Sequence, residues 1–212
     1  MRARDDDVHG LSAGEGVMVR YPGGHKEKTR EQIVSAAAKA FREEGVAAVS
    51  VGELMGRAGL THGGFYAHFR NKDQLVAEAC RCAMKESSGR LIEAARKAPP
   101  EERLAAFIRA YASPTHRDEP GGGCALPALT AELSRHDAPE VRAAFTESFN
   151  DSVAMLARAL PDNGTDRTDR ALALMSGLAG AVMLSRAVDD PALSDRILAA
   201  SRDVFTAAFA QG

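Results

Sequence analysis

The chain has 212 residues, enough for one or two compact units that each bury a core, with 5% aromatic residues and no Trp. No apolar run approaches the ~20 residues that span a bilayer, and the N-terminus lacks the apolar stretch of a signal peptide, so the reading is a soluble, cytoplasmic chain. A net charge of −2 argues weakly against nucleic-acid binding, but between Arg20 and Lys72 nine Lys/Arg stand against five Glu, leaving the rest acidic.

Residues 1–24 are rich in Asp, Gly and small residues without periodicity and read as a flexible arm. Met18 offers a second start, which would make residues 1–17 an extension outside the fold. Alternatively Arg20, Tyr21, His25, Lys26 and Lys28 form a basic arm along DNA. A first helix is expected over about 26–44, with Ile33, Ala37, Ala40 and Phe41 inward and Gly45 as its stop.

The segment SVGELMGRAGLTHGGFYAHFRNKDQL, residues 50–75, carries the densest local signal. Ser50 and Glu53 form a capping box for a helix running to about Ala58, with Val51, Leu54 and Met55 as its apolar face. Gly59 allows a sharp reversal, and Thr61 is an N-cap for a second helix from His62 to about Phe69. Phe65 and Phe69, four apart, read as a buried pair, which leaves His62, Gly63, Tyr66, Ala67 and Arg70 facing out. That stripe suits a helix pressed against phosphates and base edges. Gly63 and Gly64 each weaken a helix by roughly 1 kcal/mol relative to Ala, and close approach to DNA or fraying of a weak helix would account for them. Asn71, Lys72 and Asp73 start the next helix, with Lys72 placed for a phosphate.

Here the sequence resembles the TetR family of transcriptional regulators. The resemblance rests on KTREQIVSAAAKAFREEGV, the SVGELMGRAGLTHGGFYAHF helix-turn-helix and the NKDQLVAEA helix entry, and covers about Tyr21 to Ala79. Members often carry a small hydroxyl residue where Gly64 stands, so a contact through that side chain does not carry over. The resemblance implies an all-α protein: an arm (1–24), a three-helix DNA-binding domain (25–72) and a C-terminal regulatory, ligand-binding and dimerisation domain (73–212). It implies a ligand-responsive regulator, in this family usually a repressor, that binds a pseudo-palindromic double-stranded operator as a homodimer. Expected DNA contacts are Ser50, Thr61, His62, Gly63, Tyr66, His68 and Lys72. The alternative is a small-molecule-binding helical protein or enzyme that keeps the fold without specific DNA binding.

A long helix follows to about Lys97, ended by Pro99 and Pro100, and further helices are expected at about 101–112, 124–136, 138–160, 165–188 and 190–210. The stretch 113–123 reads as the clearest loop. The last two helices are apolar nearly all round, with Gly177 and Gly180 permitting close approach; they read as a dimer surface, or as an intramolecular core. If the family pattern holds, Met84, Phe107, Tyr111, Leu126, Leu129, Phe145, Phe149 and Met155 face an effector cavity suited to an apolar or aromatic ligand, although any one of them also fits plain core. Cys124 opens a helix whose dipole would favour the thiolate, as in a sensor of electrophiles or oxidants, or it is simply a small residue at a tight helix start.

Three cysteines make no disulfide framework, and Cys80 reads as core. The six histidines (9, 25, 62, 68, 116 and 136) include no pair spaced three or four apart, so no metal and no cofactor are expected. No catalytic motif is present, and the protein is not expected to be an enzyme.

Overall fold

In the computed structural model, residues 23–135, 137–162 and 164–210 are described. The proposed extension 1–17, the alternative start at Met18, Arg20, Tyr21 and the side chain of His25 fall outside what is described. The described chain is helical, without strands.

Helix α1 (Gly23–Glu44) buries Ile33, Ala37, Ala40 and Phe41 along one stripe. It stops at Gly45, whose φ of +86° is left-handed and therefore suits glycine. Helix α2 (Val51–Arg57) buries Leu54 and Met55. Gly59, at φ +73°, turns the chain into a short 3-10 helix, His62–Ala67. The sequence predicts an α-helix to about Phe69; the chain instead forms a 3-10 helix that ends at Ala67. Residues 63 and 64 are both glycine, and the tighter turn appears where Gly64 N–H bonds back to Thr61 O at 3.0 Å, an i to i−3 bond.

Helix α3 (Lys72–Arg96) is 25 residues long. It packs on α1 at one end and supplies the spine of the C-terminal helices along the rest. After the Pro99–Pro100 break come a 3-10 turn (Pro100–Glu102) and α4 (Arg103–Tyr111). The expected loop 113–123 contains a five-residue helix, α5 (Pro114–Asp118), because Ser113 caps it by accepting from His116 N–H at 3.1 Å and Pro114 sits in its first turn. Helices α6 (Ala125–Leu133), α7 (Pro139–Ala159), α8 (Arg167–Ala187) and α9 (Pro191–Phe205) complete the bundle. The chain continues into a π turn, Thr206–Ala210. Among the described residues no helix is long and apolar enough to cross a membrane.

Gly177 and Gly180 of α8 differ in role. A Cβ on Gly177 would lie 2.4 Å from Phe205 Cζ, so its missing side chain lets the α9 ring in, while a Cβ on Gly180 would meet nothing. The first serves the intramolecular core and the second lies open.

Candidate nucleic-acid interface and its link to the C-terminal core

The capping box at the start of α2 is present in full. Ser50 Oγ accepts from Glu53 N–H at 3.3 Å, and Glu53 Oε2 accepts from Ser50 N–H at 2.8 Å. The Ser50 hydroxyl also donates to that carboxylate at 2.8 Å, so it is engaged locally rather than free for a phosphate. These bonds from the Ser50 backbone and hydroxyl hold the Glu53 carboxyl below its usual range.

Phe65 and Phe69 are buried at 1% and 2% exposure and stack with centroids 5.4 Å apart. The Arg30 guanidinium lies 4.5 Å over the Phe69 ring and is fixed by a bidentate pair with Glu78 of α3, which joins α1, the turn and α3. With both phenylalanines pinned, Thr61, His62, Gly63, Tyr66, Ala67 and Arg70 are exposed. Tyr66 is the extreme, a 70% exposed ring beside a buried one. Gly63 has open space around the position of a Cβ, and a Cβ on Gly64 would make ordinary contacts at 3.6 Å with Met55 and 3.7 Å with Thr61. Neither glycine has a positive φ, so the protein's own packing requires neither. Thr61 occupies the N-cap position in extended backbone but makes no side-chain capping bond.

Two expected phosphate contacts sit less openly. His68 is half-buried, its Nδ1 is buried without a hydrogen-bond partner, and desolvation, with Lys26 and Arg30 nearby, lowers its pKa and favours the uncharged ring. Lys72 Nζ donates to Val46 O and Val49 O, each at 2.7 Å. Two of the ammonium's three donors are thereby committed to the α1–α2 loop, and one remains. Asn71 caps α3 by accepting from Gln74 N–H at 2.8 Å.

The same loop is held from the other side. Glu132, near the end of α6, accepts from Val46 N–H at 2.7 Å and Ala47 N–H at 2.6 Å. Arg42 of α1, 5% exposed, donates through Nε to Gly121 O and through Nη2 to Glu86, both at 2.9 Å. Sequence reasoning missed Glu132 and Arg42, since their partners lie 85 and 79 residues away and no local pattern announces them.

In the C-terminal bundle Met84, Phe107, Tyr111, Cys124 and Leu126 converge with Met155 on one enclosed void of about 10 Å³, scarcely room for a water. Leu129 is buried elsewhere on α6, and Phe145 and Phe149 form a stacked, half-buried pair on α7 at 6.1 Å. The larger space is a cleft of about 750 Å³ between the ends of α3, α4 and α7, which shares Phe107 and Met155 with the void.

Cys124 is the N-cap of α6, yet the expected thiolate is not favoured: the residue is 5% exposed and burial pushes the thiol up. Desolvation outweighs the bonds from Tyr111, the Leu126 backbone and Ser87 that favour the thiolate. Tyr111 Oη donates to Cys124 Sγ at 3.2 Å, and Cys124 N–H donates to His116 Nε2 at 2.7 Å. His116 Nδ1 lies 2.6 Å from Tyr111 O, a contact that requires Nδ1–H and leaves Nε2 as the acceptor. The residue is therefore part of a closed buried network. Burial also pushes the Cys80 and Cys82 thiols up to about 11.

Residues 33–79 match the model of bacterial regulatory proteins of the tetR family, and residues 100–201 match that of the tetracyclin repressor-like C-terminal domain. The chain belongs to the TetR family. The HTH-type transcriptional regulator TtgR of Pseudomonas putida is 42% identical over 59 residues, which is 28% of this chain and 28% of TtgR. The curated relative is thus matched over little more than a quarter of its length. E. coli NemR, solved in its reduced form, superposes with a TM-score of 0.72 at 20% identity over 87% of this chain and 98% of that one. A TetR regulator from Chloroflexus aurantiacus gives 0.69 at 22% identity over 86% and 96%. At such identities the structural likeness establishes the fold alone, over most of the chain.

Proposed function

We propose that this chain is a ligand-responsive transcriptional repressor that binds a pseudo-palindromic operator as a homodimer. The outward stripe of His62, Gly63, Tyr66 and Arg70 carries the reading: a 70% exposed tyrosine stands beside glycines that the fold itself does not need. A groove pressed against the backbone would need that bareness. Tyr66, His62 and Gly63 are assigned to base edges or adjacent phosphates, and Thr61 and the remaining donor of Lys72 to phosphates. Ser50 and His68, tied up or half-buried in the free protein, contribute less.

The surface of α8 and α9 supports dimerisation. Among the described residues, apart from Tyr66, the large apolar side chains left exposed are Leu172, Leu184, Leu193 and Val204, all on these two helices. Pairing them across a two-fold axis would set two helix-turn-helix units to enter successive major grooves about 34–36 Å apart, or somewhat further. Effector binding in the C-terminal bundle would displace α6 and, through Glu132, the loop that leads into α2.

Selection of random duplexes on the purified protein tests the reading. Enrichment of a palindrome is expected; sequence-blind, salt-sensitive retention would overturn it and favour a small-molecule-binding protein that keeps the fold.

A further inference from the structure

The cleft of about 750 Å³ is large enough for a drug-sized molecule, whereas the enclosed void beside it is not. Its walls are mainly apolar, with Leu104, Phe107, Met155 and Leu156 prominent among them. Phe107 and Met155 also line the void, so a ligand seated here presses on the same side chains that close the centre of the bundle.

The rim carries charge of a definite sign. Arg96 is the last residue of α3 and Arg103 the first of α4, and the proline turn between those helices brings both to the cleft. Both are exposed, and neither guanidinium forms a hydrogen bond or ion pair among the described residues. Glu101 lies on the same rim and opposes them in part. Glu102 is turned aside to Arg109, 4.0 Å away. Among the described residues of the lining, two guanidiniums against one carboxylate leave the mouth positive, above an apolar floor.

We propose that this cleft is the effector site and that its ligand class is an amphipathic carboxylic acid, with the apolar tail among Leu104, Phe107 and Met155 and the carboxylate on Arg96 and Arg103. Guanidinium forks match a carboxylate in geometry as well as charge. An uncharged ligand would use the floor and leave the rim idle. A cationic one would meet two like charges. The inference rests on reading the C-terminal domain as effector-responsive, and goes beyond it by naming the site and the chemistry.

The experiment is calorimetric titration of the purified full chain with three ligands that share one tail: decanoate, decanol and decyltrimethylammonium. Decanoate should bind about tenfold or more tighter than decanol, and the cation more weakly than either. Arg96→Gln combined with Arg103→Gln should abolish the preference for decanoate and leave decanol affinity unchanged, which also shows that the variant is folded. Glu101→Gln should tighten decanoate alone, and Ala159→Trp, which fills the cleft, should weaken both. Equal binding of decanoate and decanol, a preference that survives the double arginine variant, or no binding by any of the three would overturn the proposal. The duplex selection needs no ligand, so it separates the two readings: a palindrome without decanoate binding removes the ligand class only, and decanoate binding without a palindrome removes the repressor only.

Discussion

Glu132 and Val46 stand 86 positions apart in the chain and 2.7 Å apart in space, where the α6 carboxylate accepts from the loop N–H. Lys72 takes the Val46 and Val49 carbonyls of the same loop. The entry to the helix-turn-helix is thus gripped on its donors from the C-terminal domain and on its acceptors from α3. Val46 is 2% exposed, so in Glu132→Ala its N–H loses a partner where water enters poorly. The expected destabilisation is about 1–3 kcal/mol. Hydrogen exchange should rise at Val46 and Ala47 before it rises in α2. If amide protection there matches wild type, the clamp has no energetic weight.

Tyr66 and Lys72 separate two kinds of contact. Tyr66 is 70% exposed, so Tyr66→Ala should leave the unfolding midpoint within about 0.5 kcal/mol of wild type. It should nevertheless weaken operator binding by about 1–3 kcal/mol. Lys72→Ala should do both kinds of damage, lowering affinity for all duplexes alike and flattening the salt dependence by about one contact while also loosening the loop. Filter binding at several salt concentrations, with urea melts of the same samples, distinguishes them. A Tyr66→Ala protein that binds its operator like wild type would refute the assigned recognition face.

What the sequence makes legible is what short-range chemistry decides. Ser50 and Glu53 lie three apart, and their mutual bonds need nothing else, so the start of α2 is readable; the burial of Phe65 and Phe69 also agrees with the expectation, although Phe69 lies past the end of the 3-10 helix and tertiary packing rather than α-helical spacing turns it inward. The 3-10 form of His62–Ala67 is not readable, because the glycine pair weakens α-helix without choosing its replacement. The helix start at Cys124 is legible in the sequence, whereas the state of its thiol is not, since the Tyr111 ring, the His116 ring and the burial that governs it come from other helices. Five of the proposed cavity residues do meet, but around a void of about 10 Å³. The spacious cleft lies at the helix ends, and no local pattern singles out Arg96 or Arg103.

The two glycines of α8, equivalent in the sequence, should behave differently on substitution. Gly177→Val forces the Phe205 ring aside and should destabilise the fold by about 1–3 kcal/mol, with Phe205→Ala relieving part of the effect in the double variant. Gly180→Leu finds open space within the subunit and should leave its fold intact. If α8 pairs with its mate, however, the added side chain should raise the dimer dissociation constant by about tenfold or more. Sedimentation across a concentration series reads the second effect and urea unfolding the first. An unaltered association constant in Gly180→Leu would move the dimer contact away from that face.

His116 supplies a pH dependence with a fixed sign. Burial, aided by Arg186 and Arg90 and opposed by the Tyr111 carbonyl, puts its folded pKa below the ordinary 6.5. As pH falls through that value the unfolded chain takes up the proton first, so the stability contribution is complete above 6.5 and declines below it until the folded ring protonates as well. The charged ring would point Nε2–H at Cys124 N–H, donor against donor. His68, also shifted down, adds to the same window, whereas Glu44, Glu53, Asp118 and Asp166 are shifted below ordinary values of 4.5 or 3.8 and act only at more acid pH. Urea midpoints measured from about pH 7.5 to 5 should therefore fall in the wild type and fall less in His116→Gln, whose amide can both donate and accept but does not titrate. Equal slopes in the two proteins would mean that the Tyr111–His116–Cys124 network opens to solvent before it takes up a proton.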